Sequence, residues 1–173
     1  MSITLSSASL PVFQTALSNL LHCLNKAEAN AAARKFDPNV FVTMRLAPDM
    51  LPFAAQIRIA CDAAKNGTAR LAGIEAPKFD DNETTFAELQ ARVRKTLDWL
   101  ATVPASAIDG REAAEITFPV GRDQTRTMAG EAYLKHWALP NLFFHVTTAY
   151  ALLRHNGVDL GKADYLMGEQ AGA

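Results

Sequence analysis

Apolar residues recur every three or four positions through four separate stretches of this chain, and that spacing predicts four long amphipathic helices. The first follows Ser9-Leu10-Pro11, an N-cap residue with a proline in the first turn. It carries Phe13, Ala16/Leu17, Leu20, Cys23/Leu24 and Ala27 on one face, to about Ala29. The second carries Met50, Phe53/Ala54, Ile57, Ala60/Cys61, Ala64 and Leu71. A start at Pro48 or Asp49 keeps Pro52 within its first turn, and Gly73 is its stop. Between these helices, Asp37-Pro38 and Ala47-Pro48 are breakers that leave room for one short extra helix.

The third helix opens at Thr85-Phe86-Ala87-Glu88, a capping box, and runs through Phe86, Leu89, Val93, Leu97 and Leu100 to Val103, where Pro104 ends it. From about Ala113 to Thr127 the period shortens to two around Gly121-Arg122-Asp123, which predicts a β-hairpin. The fourth helix starts near Gly130, is kinked at Pro140 and ends at Asn156-Gly157. Arg154 and His155 face the negative end of its dipole. Four such helices and a minor hairpin predict an all-α antiparallel four-helix bundle. With neither repeat nor linker, residues 1–173 read as a single domain.

Composition narrows the function classes. Apolar residues make up 49% and charged residues 20%, the balance of a folded globular chain rather than a disordered one. Net charge is -1 and no basic stripe is visible, so nucleic acid has no electrostatic footprint to bind. No stretch approaches the ~20 apolar residues of a membrane span, and "MSITLSSASLPVF" lacks the charged start and apolar block of a signal peptide. The expectation is a cytoplasmic protein without membrane contact. Cys23 and Cys61 fall on apolar helix faces and read as buried thiols. His22 falls on a polar face and reads as solvated.

Candidate chemistry concentrates in "PNLFFHVTTAYALLRHNGV". There Asn141 and His145 lie one turn apart on a face that otherwise suits leucines, with Thr148 another turn on. An i, i+4 pair of donors on a helix can chelate one ion, while a core histidine can equally be hydrogen-bonded to protein or water, or the pair can hold a small ligand. Tyr150 is a phenol that needs a partner if buried. His136, nine residues before His145, is about 13 Å away along an ideal helix, too far to share an ion. Lys162, Asp164 and Tyr165, after the last helix, read as a clasp fastening the tail to the bundle.

The segments "RLAPDMLPFAAQIRIACDAAK" and "HWALPNLFFHVTTAYALLRHNGVDLGKADYLMG" resemble the signature segments of a family of unknown function within the DinB/YfiT-like superfamily, a likeness that covers nearly the whole chain. That resemblance implies an up-down-down-up four-helix bundle, often a homodimer. Many members hold nickel or zinc on three histidines, one early in the second helix and two as an i, i+4 pair on the last. Some are transferases or isomerases that use a thiol cofactor such as bacillithiol, mycothiol or glutathione. Here His145 matches the second histidine of the last-helix pair, and Asn141 stands where the first would be. The second-helix histidine is absent, its nearest oxygen donors being Asp49 and then Gln56.

Three functional expectations follow. One is a degenerate core site in which His145, Asn141 and Asp49 hold a divalent ion weakly, at its most active a metal- or thiol-dependent transferase or hydrolase. Another is a pocket for a small molecule or cofactor, bordered by Thr148 and Tyr150. The last is a non-catalytic structural homodimer.

Overall fold

The structure is a computed structural model and describes residues 3–172. Its long helices are α1 (Leu10–Ala33), α2 (Phe53–Ala72) and α3 (Phe86–Thr102), followed by an antiparallel hairpin, β1 (Glu115–Pro119) and β2 (Thr125–Ala129). A final rod comprises α4 (Gly130–Tyr133), a π-helical turn (Leu134–Ala138) and α5 (Leu139–His155). The chain then ends in α6 (Lys162–Met167) and a 3-10 turn (Gly168–Gly172). Short 3-10 turns also occur at Pro38–Phe41 and Ala105–Ala107.

Local chemistry accounts for most helix ends. Thr85 accepts a hydrogen bond from the Glu88 N–H while Glu88 accepts from the Thr85 N–H, a reciprocal cap that satisfies two free N–H groups of the first turn. Gly73 ends α2 at φ +67°, a left-handed conformation that favours glycine, and Arg111 donates to the Leu71 carbonyl beside it at 2.7 Å. Ser9 occupies the N-cap position of α1 without capping it. Its hydroxyl donates back to the Leu5 carbonyl at 2.7 Å, because a turn over residues 4–9 already precedes the helix.

Helix α2 starts at Phe53, later than the pattern predicts. A start at Asp49 would put Pro52 where an N–H is needed. Instead, the first N–H groups of α2 donate into the preceding loop, Phe53 to the Met44 carbonyl at 2.8 Å and Ala54 to that of Val42 at 3.1 Å. Asp49 therefore sits exposed in a loop and not at a helix start. Pro140 leaves the carbonyl of His136 without its helical donor and crowds it. The rod answers with the π-helical turn over that residue, so it widens there and continues.

Contacts between helix ends set the directions. The rings of Phe53 and Phe86, at the starts of α2 and α3, stack with centroids 6.1 Å apart, so those two helices are parallel. Phe36, just past the end of α1, reaches Phe86 through Phe41, with centroid separations of 5.5 and 5.9 Å, so α1 runs opposite to α3. His145 meets Gln56 near the start of α2 while Ala138 meets Gly67 near its end, so α5 runs opposite to α2. The bundle is thus up-down-down-up, with α1 and α2 each packed against both α3 and α5. A Cβ on Gly67 would lie 3.2 Å from the Phe13 ring and 3.5 Å from the Ala138 Cβ, so glycine there permits the close approach of α2 to both neighbours.

The hairpin pairs Thr117 with Thr127 and buries Ile116 and Phe118 on its inner face. Phe118 packs edge-on against Tyr133 (4.9 Å) and tilted against Trp137 (5.0 Å). The hairpin thereby covers one end of the α2–α5 seam. At the other edge of the bundle, the tail is clasped. Asp164 Oδ1 accepts from Lys26 Nζ and pairs with His22 Nε2, both at 2.9 Å, and the Asn19 amide donates to the Tyr165 carbonyl at 3.0 Å. His22 is therefore half-buried and paired rather than solvated.

Candidate functional site

Two antiparallel stripes face each other across the α2–α5 seam. On α2, Gln56, Asp62, Asn66 and Arg70 interrupt a run of alanines and other small residues. On the opposite rod, Tyr133, Trp137, Asn141 and His145 recur at helical spacing. Small residues, Ala63 and Gly67 among them, bring the helices together.

Near the start of α2, His145 is 8% exposed and Gln56 1%. His145 Nδ1 lies 2.7 Å from Gln56 Oε1, and Gln56 Nε2 donates to the Leu51 carbonyl at 3.1 Å. With the amide nitrogen committed to Leu51, its oxygen faces the imidazole, so Nδ1 carries the proton and donates. Burial lowers the histidine pKa, which keeps the ring neutral. The Phe144 ring meets the imidazole edge-on at 5.1 Å. The arrangement is a buried polar tie between α2 and α5 with one tautomer selected.

Toward the hairpin end of the seam lies a cleft of about 190 Å³, bordered by Asp62, Asn66, Arg70, Tyr133, Trp137 and Asn141. Arg70 Nη1 donates to Tyr133 Oη at 3.1 Å, and its guanidinium carbon is 5.7 Å from the Phe118 ring centroid. Burial raises the Tyr133 pKa against the opposing pull of Arg70, so the phenol keeps its proton. Asp62 Oδ1 is shared by Lys65 Nζ (2.9 Å) and Arg92 Nη2 (3.0 Å). Arg92, 3% exposed, also pairs with Glu83 at 2.7 Å and Asp81 at 3.1 Å. Among the described residues Arg70 has no carboxylate partner, so the cleft carries an unmatched positive group.

The residues singled out in the sequence are thus dispersed. His145 faces Gln56, Asn141 borders the cleft, and Asp49 is exposed in the loop before α2. Thr148 donates its hydroxyl to the Phe144 carbonyl one turn earlier at 2.7 Å, an internal helix bond. Tyr150 packs edge-on against Tyr165, with centroids 5.8 Å apart, on the side of α6. Among the described residues no group of three or more His, Cys, Asp or Glu side chains is placed to hold an ion. Sequence reasoning missed Arg70, Tyr133 and Asn66. The available signal was the Asn66/Arg70 pair, one turn apart on an otherwise alanine-rich helix.

Comparison with known proteins gives the lineage. Residues 5–166 match the family model described as Domain of unknown function (DUF1993). The chain belongs to that family. Among solved structures, this DUF1993 protein is similar to a DinB family member from Shewanella denitrificans, at 43% identity over 94% of this chain and 91% of that one, with a TM-score of 0.85. No curated protein matches the sequence. The DUF1993 chain therefore has the helical bundle its segments resemble, and no helix among its described residues is long and apolar enough to cross a membrane.

Proposed function

We propose that the protein binds a small organic molecule in the α2–α5 cleft, with Asn141, Asn66 and Trp137 contacting it and without a structural need for a metal ion. The observation that carries this reading is convergence. Side chains from α2, α4, the π-helical turn and α5 meet at one cleft and leave hydrogen-bonding capacity there. At about 190 Å³ the cleft suits a molecule well below drug size.

The divalent ion that the DinB-like superfamily implies fits the donors of this chain poorly. His145 has only Nε2 left to ligate, its Nδ1–H being spent on Gln56, the matching position is a neutral amide at Asn141, and Asp49 lies in the exposed loop. One imidazole with amide oxygens is a weak set for nickel or zinc.

The test is melting temperature against a fragment set of small amides, alcohols and carboxylic acids, because a ligand that binds only the folded state stabilises it. Upward shifts are expected, abolished by Asn141→Leu and Trp137→Ala and unchanged after EDTA. Shifts that vanish with EDTA, together with near-stoichiometric metal by elemental mass spectrometry, would restore the metal reading.

A homodimer is the second reading. Phe143, Phe144, Leu166 and Met167 are 39–57% exposed along α5 and α6, an apolar surface of the kind that marks association. Light scattering on the purified chain decides it, with twice the chain mass expected and a monomer overturning it.

A further inference from the structure

A charge in the cleft that is unmatched among the described residues identifies its ligand class. Arg70 stands in the last turn of α2, half-buried, with its guanidinium beside the Phe118 ring and one N–H spent on Tyr133 Oη. A guanidinium has five N–H donors and no acceptor, so most of its donors are unspent on described residues. Tyr133 accepts that bond, so its hydroxyl proton is left to donate. Two donors, one of them charged, are therefore held side by side in a space partly screened from water by Phe118 and Trp137.

We infer that Arg70 and Tyr133 form the anion-holding end of the cleft, and that the ligand is a small monocarboxylic acid whose far end is hydrogen-bonded by Asn66 and Asn141. This inference rests on the cleft reading above and adds the charge class. The fork of a guanidinium matches the two oxygens of a carboxylate, and such charge-assisted bonds are stronger than neutral ones.

Phosphate is disfavoured by the same surroundings. Among the described residues one unmatched cation, Arg70, faces the cleft, and the Asp62 carboxylate borders it as well. A dianion would meet that repulsion with a single positive partner. A neutral ligand would leave Arg70 buried deeper without a counter-charge, which costs free energy. The remaining polar groups, Asn66 and Asn141, are amides that both donate and accept, so they suit a hydroxyl, carbonyl or amide on the ligand.

The experiment titrates the full chain with acetate, lactate and benzoate, each against its own amide, and with inorganic phosphate. Binding is read as melting temperature and as the shift of the Trp137 indole N–H resonance, assigned by Trp137→Phe. Trp99, on α3, is the internal control. At least one carboxylate is expected to move Trp137 and raise the melting temperature, and its amide to do neither. Arg70→Gln is expected to weaken that carboxylate roughly 10- to 100-fold, with partial recovery in Arg70→Lys. Tyr133→Phe, which removes only the hydroxyl, gives a smaller loss and keeps the test valid if Arg70→Gln does not fold. Amides binding as well as acids, phosphate binding better than both, or full carboxylate affinity in Arg70→Gln would each overturn the carboxylate inference and leave the cleft reading standing. No response of Trp137 to any of these molecules at high millimolar concentration overturns both.

Discussion

His145 Nδ1 donates to Gln56 Oε1 across 2.7 Å of buried seam, the one direct side-chain hydrogen bond found between α2 and α5 among the described residues. It selects the tautomer, and with Leu51 it locks the amide orientation. Gln56→Leu leaves a buried imidazole donor unmatched, and the expected destabilisation is roughly 1–3 kcal/mol in urea unfolding. Removing both partners, as Gln56→Leu with His145→Leu, is expected to recover most of that loss. A double replacement as unstable as the sum of the singles would show that the two side chains act independently.

The same pair predicts a pH dependence. Burial lowers the His145 pKa from its ordinary value of 6.5, so below about that pH the unfolded chain binds a proton that the folded chain refuses. Stability from this group is full above the ordinary histidine range and is lost as pH falls from there toward the lowered folded value. Urea midpoints measured from pH 8 downward should fall less in His145→Leu than in the parent chain.

Asp164 predicts a second, more acidic window. Burial works to raise its pKa, but hydrogen bonds from the Gly161 N–H, His22 and Lys26 outweigh that and hold it at about 2, below its ordinary 3.8. Its contribution is present above the ordinary carboxylate range and is lost as pH falls from there toward about 2. Asp164→Asn should release α6, seen as faster amide hydrogen exchange over residues 162–167 at neutral pH, with α2 and α3 unchanged.

Cys23 and Cys61 are each 2% exposed or less, and burial pushes both thiols up to about 12. Neither is a thiolate near neutral pH. Iodoacetamide should leave the native chain unmodified within minutes and add two adducts in denaturant. Rapid native labelling of either cysteine would contradict the packing described for α1 or α2.

Arg92 is nearly inaccessible and gathers Asp62, Asp81 and Glu83, tying the loop before α3 to α2. Arg92→Leu strands the Glu83 carboxylate, which is 11% exposed, and should cost roughly 3 kcal/mol. Denaturant unfolding measures it. A loss under about 1 kcal/mol would mean that the acids relax into solvent.

Much of the fold was legible because helix boundaries and faces are local properties. The Thr85–Glu88 box, the Gly73 stop and the Asn156-Gly157 end each depend on a few neighbouring residues, and the structure shows them where the pattern puts them. The start of α2 was not, because the acceptors of its first N–H groups, Val42 and Met44, lie in the preceding loop. His22 misled for a related reason. Its face looks polar within α1, but Asp164 arrives from 142 residues downstream.

By itself, then, the order of residues determined which faces are apolar, where helices begin and end to within a few residues, and that Asn141 and His145 share one stripe. Only the tertiary structure decided which polar groups meet. Gln56 and His145 are 89 residues apart, and Arg70 and Tyr133 are 63 apart. The periodicity of a helix says which side chains face inward, but the partner each one finds depends on how far two helices slide and how closely glycine and alanine let them approach. Those distances placed His145 against an amide and left Arg70 unmatched at the edge of a cleft.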